Sequence, residues 1–255
     1  MTQENVKRTS ITVSLVALFA ALYIVLSILP GVPVVGLGSL KIELEASIAS
    51  VFGIILGPYL GALAAFIGTV GAFFYGGASP FDLPFICNPA FNAFIVGLIF
   101  RNKWKSAFVL FSIVIAAFWL TPVSNPISEN QLMIMAATFD KIVAVLLIPP
   151  VALMLKTRGV TLEKAEPKLL GISFAVVFLV SFIGNQADSA LGVFLFALPP
   201  VYGGIFQLNL EITRSLYLVS PLFYPAIRLL QAFIAMWVGL PLIKAFRMLK
   251  VQIWP

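Results

Sequence analysis

Long apolar runs, separated by short polar or Gly/Pro-bearing breaks, recur from one end of the chain to the other. Eight of them predict helices, at about 11–29, 44–57, 59–76, 85–100, 106–121, 132–155, 169–190 and 222–243. A helix rises 1.5 Å per residue, so about 20 apolar residues match a hydrocarbon core about 30 Å thick. The second and third runs are each shorter than a full span. They meet at Gly57-Pro58, where a residue without Cβ and one without an N–H are expected to stop the helix. The pattern predicts an all-α, polytopic transmembrane bundle of about eight spans.

Composition strengthens this reading. Hydrophobic residues make up 61% of the 255-residue chain and charged residues 10%, with a mean hydropathy of +1.07. Soluble domains carry about a quarter charged residues, so this chain cannot cover itself in water. The first ten residues are polar and no small-residue cleavage site follows the first apolar run, so that run is kept as a mature helix rather than a signal peptide. The longest polar stretch, around 156–168, is a loop, and residues 1–255 are expected to form a single integral membrane domain with no soluble part.

Charge sets the orientation. Placing both termini in the cytoplasm puts twelve of the sixteen basic residues inside, in clusters at 7–8, 101–105, 156–168 and 244–250, as the positive-inside rule requires. Lys41 and Arg214 fall outside, and Lys141 and Arg228 within spans. An even number of crossings fits, and the net charge of +6 encodes topology rather than nucleic-acid binding. Most acidic residues fall outside or within spans, which favours a neutral or cationic ligand over an anionic one.

There is one cysteine, Cys87, and no histidine. That removes disulfide frameworks, Cys/His metal sites and His-based nucleophile activation. No phosphate-binding lysine loop, paired acidic metal motif or nucleophile elbow is present, so no enzyme, cofactor or metal is expected. Nor are there matched Gly/Pro-broken helices in two related halves, the mark of many secondary transporters.

Against this apolar background, polar residues within spans need a reason, because an Asp, Lys or Arg at a helix centre costs about 2.5–3.5 kcal/mol. Asn88 and Asn92 fall in the outer half of the fourth span, Asp140 and Lys141 in that of the sixth, Asn185, Gln186 and Asp188 in that of the seventh, and Arg228 and Gln231 in that of the eighth. The pairs Asn88/Asn92, Asn185/Asp188 and Arg228/Gln231 are three or four apart and share a helix face. Adjacent Asp140 and Lys141 diverge by about 100° and are not expected to aim at one point. A polar cavity opening outward is the economical reading. Interhelical hydrogen bonding, or an Asp140–Arg228 pair, is the purely structural one. Trp119 and Tyr75 read as interfacial anchors. Lys41, Glu43 and Glu45 follow a loop with Gly31, Pro33, Gly36 and Gly38, and place charge at the lip of the second span, as a lid over the cavity or as an exposed turn.

These residues resemble the S components of energy-coupling factor (ECF) vitamin transporters. Ala17-Leu18-Phe19-Ala20-Ala21 is similar to the Ala-x-x-x-Ala element by which such proteins meet a transmembrane coupling subunit, and Ser14 extends its smooth stripe. Lys41-Ile42-Glu43-Leu44, then Leu56-Gly57-Pro58 and Gly61-Ala62-Leu63, looks like the family's charged lip, Gly-Pro break and small-residue helix. Asn88-Pro89-Ala90-Phe91-Asn92-Ala93-Phe94 resembles its fourth helix, and Pro225-Ala226-Ile227-Arg228 through Gly239-Leu240-Pro241-Leu242 its last. The resemblance covers residues 11–105 well and 220–247 loosely. It departs in size: family members have six helices, so segment 106–200 either adds two or marks a divergent branch. The lack of histidine sets the chain apart from the nickel and cobalt members.

The resemblance implies a substrate-binding subunit for uptake of a vitamin or similar small organic molecule in the cell membrane. Its partners would be the substrate, the coupling subunit and ATPase subunits. The ligand set expected for it is Lys41, Glu43, Glu45, Asn88, Asn92, Asp140, Asn185, Asp188, Arg228 and Gln231, with Ser14, Ala17 and Ala21 at the partner interface. The alternative is a stand-alone ion-coupled carrier or channel, in which Asp140 and Asp188 would be coupling-ion sites.

Overall fold

A computed structural model describes residues 3–28, 31–34, 37–42, 45–157 and 174–248. Eight helices carry the architecture: α1 (Gln3–Leu26), α2 (Ala49–Tyr75), α3 (Asn88–Phe100), α4 (Trp104–Trp119), α5 (Ile127–Thr157), α6 (Phe174–Phe196), α7 (Leu210–Val219) and α8 (Tyr224–Met248). Among the described residues six stretches, lying in α1, α2, α3, α5, α6 and α8 with their flanking turns, are long and apolar enough to cross a membrane, against the eight spans counted in the sequence, because 44–57 and 59–76 join in α2 and α4 is a shorter apolar helix. The helical membrane bundle is therefore as the sequence predicts. The all-α class needs one amendment, a small antiparallel hairpin of β1 (Val32–Val34) and β2 (Leu37–Ile42), with Val32 opposite Ile42 and Pro33 opposite Lys41.

The expected break at Gly57-Pro58 is present, but its form differs from two full spans. Gly57 has φ 79°, a conformation open to glycine at little cost. In a continuous helix Phe52 and Gly61 would stand about 13 Å apart. Instead, a Cβ built on Gly61 would lie 2.8 Å from the Phe52 carbonyl oxygen, so the chain folds back on itself. The turn and first arm, 45–56, is only about 18 Å long, too short to span alone, so the reversal lies at membrane depth. Irregular backbone there must be covered by protein. Gly97 of α3 covers it, its own missing Cβ letting α3 approach to a point where that atom would be 2.7 Å from the Gly57 carbonyl carbon.

Two apolar cores follow. The larger joins α1 to α6 and α8 around Phe19, Tyr23, Phe52, Leu56, Ile95, Phe100 and Ile148, all buried. The smaller is an aromatic layer in which Phe206 packs on Phe196 and Phe81, each with centroids 5.2 Å apart, and Tyr217 packs on Phe118 at 5.3 Å. Sequence patterning gave no helix at 210–219. Its signal was local: Asn209 caps α7 by accepting from the Ile212 N–H at 2.8 Å, and Glu211 sits in the first turn, both ordinary helix-start features. The Tyr217 hydroxyl donates to the Val193 carbonyl at 2.7 Å and ties α7 to α6. Burial pushes that phenol well above its usual pKa.

Candidate functional site

The polar residues that the sequence places at one depth are buried together. Glu45, Asn88, Asn92, Asp140, Lys141, Asn185, Gln186, Asp188, Arg228 and Gln231 are each at most 8% exposed. The site begins where α3 meets α6. Asn92 Nδ2 donates to Asn185 Oδ1 at 3.0 Å and to the Ala46 carbonyl at 3.4 Å. Gly184 makes this approach possible, since a Cβ there would run into Asn92 Oδ1. One turn deeper, Ser50 Oγ donates to the Ser47 carbonyl at 2.9 Å and shares a hydrogen bond with Ser181 Oγ at 3.0 Å, fastening the first arm of α2 to α6.

Asp188 lies one turn beyond Asn185 and faces α8. Its Oδ1 is 3.4 Å from Arg228 Nη1, and the same Nη1 donates to Gln231 Oε1 at 2.7 Å. The Asp188–Arg228 bridge replaces the Asp140–Arg228 pair allowed by the sequence. Asp140 instead takes Lys141, with Nζ 2.8 Å and the Lys141 backbone N–H 3.0 Å from its Oδ1. The expectation that these neighbours must diverge is thus corrected. A 100° offset separates two Cβ directions, but the four-carbon lysine stem is long enough to curl back.

Several buried polar atoms find no partner among the described residues: Asn88 Oδ1, Asn92 Oδ1, Asn185 Nδ2, both Gln186 amide atoms, Asp140 Oδ2, Asp188 Oδ2 and Arg228 Nε. Buried polar groups are nearly always hydrogen-bonded, and each that is not costs about 1–3 kcal/mol. These atoms, three donors and five acceptors, lie on α3, α5, α6 and α8, four helices converging in one half of the bundle. The aromatic layer borders them: a Cβ at Gly192 would lie 2.9 Å from Asn88 Nδ2 and 3.9 Å from Phe85 Cδ1. The arrangement can recognise a small organic molecule through amide-type hydrogen bonds beside apolar, aromatic walls.

Other expected residues lie differently. Glu45 opens the turn Glu45–Ile48 and is 2% exposed, so it is buried rather than standing at an exposed lip. Lys41 is in β2, where the backbone alone is described, and Glu43 lies outside the described residues. Tyr75 is exposed, as an interfacial anchor would be, whereas Trp119 is half-buried with its indole Nε1 inside the protein. Gln186 is absent from the sequence-derived ligand set. It sits at the right depth, but spacing from Asn185 and Asp188 excludes it from their shared face. The overlooked signal was its cost, since a glutamine in hydrocarbon requires a partner as much as the asparagine beside it does. Ser14, Ala17 and Ala21 are exposed along one face of α1.

The fold and the site define a polytopic helical membrane protein with a buried polar cluster among its candidate spans. The chain matches the family ECF-type riboflavin transporter, S component, over residues 7–160, more than half its length, and it belongs to that family. It is a multi-pass substrate-binding subunit for vitamin uptake, a transporter component rather than an enzyme. The match takes in α4 and α5, so the segment where the sequence departs in size is part of the family region up to residue 160. No curated protein and no solved structure matches the chain.

Proposed function

We propose that this protein captures riboflavin, or a closely related flavin, at the outer face of the cell membrane and presents it to a separate ATP-driven module. The observation that carries this reading is the set of unpartnered amide atoms on α3 and α6 beside aromatic side chains. A flavin ring offers alternating carbonyl and N–H groups on a flat apolar body, which such a wall suits. Asp188 and Asp140 each lie against a cation, Arg228 and Lys141, which disfavours their use as coupling-ion sites in a self-sufficient carrier. The whole of 1–255 acts as one membrane domain in this scheme.

Riboflavin fluorescence provides the test. Purified protein is expected to quench it saturably, and Asn92→Ala is expected to weaken binding more than tenfold, because the ligand group it met is left unsatisfied. Lys103→Ala, at the exposed turn before α4, is expected to change nothing. Absence of saturable quenching by folded, monodisperse protein would overturn the flavin assignment. Uptake into liposomes by this chain alone would overturn the need for a partner module.

The exposed stripe of Ser14, Ala17 and Ala21 supports docking of a coupling-subunit helix, because small residues permit close approach. Ala17→Leu with Ala21→Leu is expected to abolish co-purification with the coupling subunit while leaving flavin quenching intact. Undiminished co-purification would move the interface elsewhere.

A further inference from the structure

At the opposite end of the bundle from the polar site, an open groove of about 460 Å³ lies between the start of α4 and the end of α5. Asn102, Trp104 and Lys105 line one side, Pro149, Ala152, Leu153 and Lys156 the other. Its walls are of two kinds. Lys105 and Lys156 are exposed and supply positive charge with no carboxylate among the lining residues. Pro149, Ala152 and Leu153 form an apolar floor that continues along α5 into the lipid-facing surface, where Leu146 and Leu153 are more than 60% exposed. Lys105 Nζ stands 5.9 Å from the centre of the Trp104 ring, a side chain suited to the membrane interface. By the positive-inside rule, the basic residues clustered at 101–105 and 156–168 assign this end to the cytoplasmic side.

We propose that the groove is a binding site for an anionic phospholipid of the inner leaflet, with the headgroup phosphate between Lys105 and Lys156 and the glycerol and first acyl carbons along Pro149 and Leu153. The argument is complementarity at a fixed depth. A soluble anion would use the two lysines but leave the apolar floor idle, and a zwitterionic lipid would fill the floor but set its own cation against the lysines. An anionic lipid satisfies both. Each lysine near the surface favours such a lipid by an amount that corresponds to about fivefold in affinity.

Delipidated full-length protein, titrated with phosphatidylglycerol or phosphatidylcholine in mixed micelles and read by native mass spectrometry, tests this. Wild type is expected to retain phosphatidylglycerol at least about tenfold better than phosphatidylcholine. Lys105→Gln with Lys156→Gln is expected to erase that preference. Lys103→Gln with Lys244→Gln removes two exposed basic charges placed at the same end but outside the groove, and is expected to keep it. Three results would overturn the proposal: no preference in wild type, equal loss in the two double variants, or displacement of the lipid by millimolar glycerol phosphate, which would mark a site for a free phosphate instead.

Discussion

Asp188→Ala is expected to lower the thermal midpoint of the purified protein by roughly 10 °C, a larger effect on stability than any other single change in the polar cluster. Arg228 is 7% exposed, and Asp188 is its counter-charge at 3.4 Å. Removing one partner of a buried ion pair leaves the other uncompensated, at about 3–5 kcal/mol, and each kcal/mol is worth about 2–4 °C in a chain of this size. Gln231 Oε1 also accepts from Arg228, but a neutral amide cannot balance the charge. Asp188→Asn, which keeps a hydrogen-bond acceptor, is expected to fall between wild type and Asp188→Ala. Exchanging the residues, Asp188→Arg with Arg228→Asp, is expected to recover part of the loss. A midpoint for Asp188→Ala equal to that of wild type would show that the bridge contributes nothing to the fold.

Gly184→Ala is expected to weaken flavin binding even more than Asn92→Ala does. The added methyl would meet Asn92 Oδ1 and come within 2.6 Å of Val96 Cγ2, and interiors do not yield to such overlap without displacing a helix. Pushing α3 from α6 breaks the Asn92–Asn185 hydrogen bond and misplaces Gln186 with it. A double-mutant cycle separates this from a general loss of packing. With Asn92→Ala already present, the atom that Gly184→Ala would strike is gone, so the second change is expected to add much less than it does alone. Strict additivity would mean that Gly184 acts through Val96 or through the helix itself, and not through the site.

The cost of polar groups in hydrocarbon made most of the candidate site visible in the linear sequence. Asn88, Asn92, Asn185, Asp188, Arg228 and Gln231 stand out because the solvent around their helices offers no hydrogen bonds, and depth along each helix follows from counting residues at a fixed rise. Serine gives no such signal. Ser50 and Ser181 can bond to carbonyls of their own helix, so their pairing across α2 and α6 has no trace in the sequence. Gln186 fails for a different reason: spacing rules compare residues on one helix, whereas its burial depends on which other helices surround α6.

The sequence by itself determined the solvent, the approximate bounds of most apolar helices, the break at Gly57-Pro58 and the level at which polarity gathers. Each depends on local chemistry or on the length of chain needed to cross a lipid layer. Only the tertiary structure decided that the chain folds back within the membrane at Gly57, because the angle after a break depends on what covers it, and Gly97 does. Likewise it alone decided which charges pair. The sequence allowed an Asp140–Arg228 pair, whereas Asp140 takes Lys141 and Arg228 takes Asp188. Which aspartate Arg228 meets depends on how α5, α6 and α8 pack, which residue spacing along one chain does not set.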